Sequence, residues 1–350
     1  MRKILCVGPQ WRGSNAAALF KAFSRLGYIV DVVDENYYIN LNNHKLLTKV
    51  IDKIFFHQHV MEFNEAVSRS INIFRPDLIL VYKGAFVLPG YLKQWKLNGP
   101  VINVYPDVSY RSHGKHLPHS LPLYDWIFTT KTFGLSDMKS DLNISNASFV
   151  PHGFDPEIHR PLTAAGELKK QLTSQVSFIG THSPKKEHYL SALLKAIPTL
   201  DLKIWGNGWQ RSTAVNLNGA IQYRELLGDL YAMAINASAI NLGILSEQVM
   251  GASSGDLITS RTFHIPAAGG FLLHERTTES ITYFKEGSEA AFFLGEEELI
   301  QQVKYYIVQD IERRSMADKG KQRAWAQHSI DQRAESLLTA LKEKKIVVQQ

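Results

Sequence analysis

Apolar residues in this chain follow two patterns that alternate from one end to the other. Short aliphatic runs closed by glycine or proline read as buried parallel strands, and longer stretches with apolar positions three and four apart read as helices. Residues 3–7 (KILCV) form the first run, ending at Gly8-Pro9. Ser14 or Asn15 caps a helix over 16–26, Gly27 ends it, and 28–33 is a second strand. Residues 45–75 read as one helix, with Ile51, Ile54, Phe55, Val60, Phe63, Ala66 and Ile71 at its apolar positions. Further strands are predicted at 77–82, 101–105, 123–130 and 148–150, with a helix over 91–97. The punctuated segment from Pro151 through Asp155-Pro156 to Arg160-Pro161 reads as a hinge. The plan then repeats. Strands are expected at 175–179, 202–205, 220–223, 238–242 and 271–273, and helices at 185–196, 225–236, 296–308, 311–321 and 330–342. The pattern predicts an α/β protein of two Rossmann-like, doubly wound parallel-sheet domains.

The densest chemistry lies between Gly255 and Glu275. Thr259 and Ser260 are good helix N-caps, and Arg261 falls in the first turn. A cation there opposes the helix dipole, which makes sense if an anion is expected at that end. Asp256 and His264 are eight apart, so on one helix they would share a face about 12 Å long. Gly180-Thr181 ends the first strand of the second half, with Lys185 and Lys186 close behind. Gly206 opens Gly-Asn-Gly-Trp after the next strand and lets a ligand approach the backbone.

The run SRTFHIPAAGGFLLHERTTESITYFKEGSEAAFF, continued by Glu296-Glu297-Glu298-Leu299, Tyr305-Tyr306, His328 and Arg333, resembles the CgeB-like (spore-maturation protein) branch of GT-B, group 1-type glycosyltransferases. The resemblance implies two domains facing a central cleft: an acceptor-side domain over 1–155, a nucleotide-sugar domain over 156–325, and a helix over 326–350 packing back on the first. It implies transfer of a sugar from a nucleoside-diphosphate sugar to a hydroxyl acceptor, without metal or further cofactor. The acceptor would be a glycan, a lipid-linked sugar, a protein or a small molecule. The donor residues would be Gly180, Thr181, Gly206, Asp256, Ser260, Arg261 and His264, with Arg261 and Lys186 stabilising the departing diphosphate. Related transferases carry two glutamates where this chain has Asp256 and His264. Asp107, at the end of VINVYP, would be the general base, with Gly13, Lys83, Arg111, His119 and His152 on the acceptor side.

Composition narrows the field without redirecting it. The chain is 45% hydrophobic and 21% charged, with net charge +6 and sequence pI near 9.1. The basic residues are dispersed, against a nucleic-acid arm and in keeping with an anionic substrate or peripheral contact with a membrane. One cysteine, Cys6 in an apolar run, excludes a disulfide framework. The start is too short in apolar residues for a signal peptide and no stretch reaches the length of a membrane span. A cytoplasmic protein is expected, at most peripheral to the inner membrane face. The first loop lacks the GxGxxG spacing, so Asp34 reads as a solvated acid at a strand end rather than an NAD ligand. His113, His116 and His119 lack a zinc pattern. Two other classes stay open: a GT-B-shaped sugar-nucleotide epimerase, and a non-catalytic binding protein with a degenerate donor site.

Overall fold

The computed structural model describes residues 2–39 and 46–346, and only the backbone of 46–54. Ile51 and Ile54, expected on the apolar face of the long helix, therefore have side chains outside the described part. The chain divides into two compact units. The N-terminal unit holds Met1–Pro151, Gln248–Ser254 and Asp331–Gln350, and the C-terminal unit holds His152–Glu247 and Gly255–Ile330.

In the N-terminal unit the elements are β1 (Lys3–Val7), α1 (Asn15–Arg25), β2 (Ile29–Val33), α2 (Glu35–Tyr38), α3 (Leu46–Phe74), β3 (Leu78–Tyr82), α4 (Pro89–Trp95), β4 (Val101–Tyr105), α5 (Leu117–Ser120), β5 (Trp126–Thr129), α6 (Thr132–Leu142) and β6 (Ala147–Phe149). The strands form a parallel sheet in the order β2-β1-β3-β4-β5-β6. The central strands are buried and almost wholly apolar, Asn103 of β4 being a buried polar exception. Ile4 to Cys6, Leu78 to Leu80, Val101 and Ile102 are wholly buried. The edge strands β2 and β6 are only half-buried. Ser14 starts α1 by accepting from the Ala17 N–H at 3.0 Å.

The C-terminal unit contains α7 (Gly166–Leu172), β7 (Ser174–Ile179), α8 (Pro184–Ala196), β8 (Leu202–Trp205), α9 (Asp229–Ala237), β9 (Ser238–Gly243), α10 (Ser260–Ala267), β10 (Leu272–Glu275), α11 (Ser280–Tyr283), β11 (Ala291–Phe293), α12 (Gly295–Tyr306) and α13 (Asp310–Gln327). Its parallel sheet runs β11-β10-β9-β7-β8. The last helix, α14 (Ile330–Glu343), belongs to the N-terminal unit from Asp331 onward. There Asp331 takes a two-pronged contact from Arg25 of α1, with Nη2 at 2.6 Å and Nε at 2.9 Å from Oδ1.

Several predicted elements shift for local reasons. The strand expected over 123–130 starts at Trp126, because Leu121–Leu123 with Pro122 winds a 3-10 turn. The helix expected over 225–236 starts at Asp229, after Gly228 at φ 56, ψ −132. Residues 220–223 contribute one bridge, Ile204 to Ile221, rather than a strand. Helix α13 continues through Gly320, where a side chain would run into the Glu289 carbonyl. Helix α6 carries weak apolar periodicity and α7 is only seven residues long, and neither is among the predicted elements.

Candidate functional site

In each sheet one strand sends the chain to opposite sides, and there the carboxyl-end loops diverge and leave a crevice. In the C-terminal unit this point lies between β7 and β9. The loop after β7 begins Gly180-Thr181, and the loop after β9 runs from Ile244 to Thr259. The first turns of α8 and α10 meet them.

Helix α10 begins where Thr259 closes a capping box with Thr262. That places Ser260 first and Arg261 second in the helix. Arg261 Nη2 donates to the Ile244 carbonyl at 2.7 Å, and its guanidinium lies 5.2 Å from the centroid of Phe178. Its Nε is buried and has no partner among the described residues. Burial lowers its pKa, opposed by Tyr231 and Asp256. Gly180 is a glycine because a Cβ would sit 2.7 Å from Arg261 Nη1. Gly206, at φ 132, leaves room for the Gly180 carbonyl.

Lys186 is the second cation, only 4% exposed. Its Nζ donates to the Thr181 carbonyl at 3.2 Å and to Ser246 Oγ at 3.1 Å. Burial pushes its pKa down to about 8, helped by the charge of Arg261 and opposed by Glu247 and Asp256. Lys185 is neutralised instead, with Nζ 2.6 Å from Glu275 Oε1. The crevice thus holds two desolvated cations that repel each other, Lys186 and Arg261, and the Nε–H of Arg261 has no partner among the described residues. A bound anion would offset both charges.

Asp256 and His264 do not share a helix face, which corrects the expected 12 Å pairing. The capping box starts the helix at Ser260, and Asp256 lies in the preceding loop, its N–H donating to Ser246 O at 2.9 Å. His264 is on the buried face of α10. Its ring stacks on His159 at 3.6 Å, and its Nε2 lies 3.2 Å from the Gly153 carbonyl. Burial pushes its pKa down to about 3, so the ring is neutral and donates to that carbonyl.

In the N-terminal unit, Lys83 Nζ lies 2.8 Å from Asp107 Oδ2. Gly13, at φ 96, sits in the loop after β1. Arg111 and Tyr110 both bond Asp141, so that guanidinium fastens its own loop to α6. His119 is exposed on α5. His152 falls in the C-terminal unit and is buried.

Residues 185–339 match the family described as Glycosyl transferase-like. The chain is also similar in structure to a sucrose-phosphate synthase (tll1590) from Thermosynechococcus elongatus, at 13% identity and TM-score 0.68, covering 98% of this chain and 99% of that one. The fold is GT-B. Anabaena HepE in complex with UDP-glucose matches at 12% identity and TM-score 0.64, over 98% of this chain and 100% of that one. A protein from Listeria monocytogenes described as a putative UDP-N-acetylglucosamine 2-epimerase matches at 11% identity and TM-score 0.54, over 98% of this chain and 96% of that one. No curated protein matches in sequence. The segment that carries the family match is also the one that supplies Lys186 and Arg261 at the β7–β9 crevice of the C-terminal unit.

Two features of the site went unread in the sequence. Glu187 accepts from Thr213 N at 2.9 Å, Thr213 Oγ1 at 3.0 Å and Ala214 N at 2.9 Å, and faces His182 Nε2 at 2.5 Å. It fastens the loop after β8 to the loop after β7. Burial would raise its pKa, but these donors outweigh that and hold it at about 2. Glu35, half-buried near Lys83, is pushed up to about 7, chiefly by burial. A glutamate in a first helical turn carries no sequence signal that separates it from an ordinary dipole partner.

Proposed function

We propose that this chain is a glycosyltransferase of the CgeB-like branch. It moves a sugar from a nucleoside-diphosphate sugar, bound by the C-terminal unit, to a hydroxyl acceptor bound by the N-terminal unit. The observation that carries the reading is the Lys186–Arg261 cation pair at the β7–β9 crevice, inside the glycosyl transferase-like match. As the bond from the anomeric carbon to phosphate oxygen breaks, its electron pair leaves on the diphosphate. Arg261 and Lys186 stabilise that charge, the task a divalent metal performs elsewhere. Gly180, Thr181, Gly206, Asp256 and Ser260 line the donor's approach. UDP is the nucleotide to try first, since HepE was solved with UDP-glucose. The basic pI supports work at an anionic membrane face, and no helix among the described residues is long and apolar enough to cross a membrane.

Arg261→Ala should lower UDP release from a UDP-sugar roughly 10²- to 10³-fold while the fold persists. Unchanged turnover in a folded variant sinks the assignment. The similarity to a 2-epimerase keeps a second reading open. UDP-N-acetylglucosamine incubated alone and converted to an isomer, with no UDP released, would establish it.

A further inference from the structure

One turn along α10 from Arg261, the C-terminal unit holds an aromatic cluster that the donor residues named so far leave unused. His264 and His159 stack with ring centroids 3.6 Å apart and planes 16° apart. His159 Nδ1 accepts from the Asp155 N–H at 2.9 Å, and His264 Nε2 donates to the Gly153 carbonyl at 3.2 Å, so a backbone group holds each ring. Burial above all lowers both pKa values, and two neutral rings can stack without repulsion. Tyr231, in the first turn of α9, stands nearly perpendicular to both. Its ring is 5.6 Å and 82° from His159, and 5.9 Å and 89° from His264. Perpendicular contacts of this kind favour one ring orientation. The same ring packs against the cluster of Ala164, Leu172, Trp205, Leu226 and Ala234. Its hydroxyl, by contrast, makes no hydrogen bond among the described residues, and Tyr231 keeps part of its surface exposed. Burial pushes this phenol up to about 12 against the pull of Arg261, and burial lowers the Arg261 pKa against the pull of Tyr231. Each group feels the other, and the phenol is a neutral O–H donor at pH 7.

We infer that Tyr231 is a donor-binding residue, its hydroxyl donating to the diphosphate that Arg261 neutralises, and that the His159–His264 stack positions it; this rests on the transferase reading above. A diphosphate brings only acceptor oxygens. The guanidinium answers them with charge, and an unpartnered O–H beside it adds a directed bond. The contact is to phosphate, so it serves any nucleoside diphosphate and pyrophosphate itself. It also gives His264 a use. An ionised carboxylate at that position would lie buried against the His159 ring, without the flat face that the stack requires.

The test follows binding to the full chain by calorimetry, with UDP and pyrophosphate as probes. Tyr231→Phe removes one oxygen and keeps the ring. It should weaken both probes by the same factor, roughly 10- to 100-fold. His264→Leu keeps the bulk of the side chain and loses its flat face. It should weaken UDP about as much, and adding Tyr231→Phe to it should cost no more than about twofold further, because the hydroxyl is already misplaced. His264→Phe supplies a flat neutral ring again and should bring UDP affinity back to within about threefold of wild type. Unchanged affinity for both probes in folded Tyr231→Phe overturns the role of the hydroxyl, as does a loss seen with UDP and not with pyrophosphate. Fully additive losses in the double variant overturn the bracing by the stack, as does His264→Phe binding as weakly as His264→Leu. A wild-type chain that binds none of UDP, GDP and pyrophosphate fails differently, since it retires the transferase reading itself.

Discussion

Lys186 gives the sharpest quantitative handle on the site. Its pKa is pushed from 10.5 to about 8 by burial first and by Arg261 second. At about 1.4 kcal/mol per tenfold, holding that ammonium charged in the folded protein costs about 3 kcal/mol relative to water. A diphosphate that needs the charged form binds in competition with loss of that proton. UDP affinity should therefore be flat up to about pH 8 and fall about tenfold between pH 7 and pH 9, since only about one lysine in ten is charged at pH 9. The phosphate itself is not the cause, because its second ionisation is complete well below this range. Calorimetry in buffers of different ionisation enthalpy should show uptake of close to one proton per UDP near pH 9, as the bound anion restores the charge. The stability sign runs the same way. The unfolded chain holds this proton up to about 10.5 and the folded chain only to about 8, so the apo protein gains stability as pH rises across that window. Lys186→Met should remove the pH dependence of binding, weaken UDP affinity, and melt no lower than wild type without ligand. Flat wild-type affinity from pH 7 to 9, or the same slope in Lys186→Met, would refute the reasoning.

Two further outcomes are expected. Glu187→Gln should cost about 1–3 kcal/mol, because a neutral amide weakens the bonds to Thr213, Ala214 and His182, and UDP affinity should drop with the loosened loop; denaturant melts and UDP titration read both. His264 is buried neutral with its pKa at about 3, against about 6.5 unfolded, so it draws stability down as pH falls from about 6.5 toward 3. His264→Gln should flatten that acid limb in melts between pH 4 and 7; an unchanged limb would count against a neutral stacked ring.

The sequence carried the frame a long way. Runs such as KILCV, LILVY and VINVY are buried in a parallel sheet, and that burial makes them apolar at nearly every position, Lys3 and Asn103 apart, so they are visible without any partner. Arg261 stood out in the sequence for a local reason, since a cation in a first turn opposes the helix dipole. Chemistry that depends on distance was not legible. Whether Asp256 and His264 share a face depended on where the Thr259–Thr262 capping box starts the helix, and the two residues were parted by it. Lys185 and Lys186 are indistinguishable as letters; only packing sends one to Glu275 and buries the other beside Arg261. The local pattern of the chain thus fixed which segments become strands and helices, because each carries its own period. Tertiary structure alone decided which charges lose water, because desolvation comes from neighbours far away in the chain.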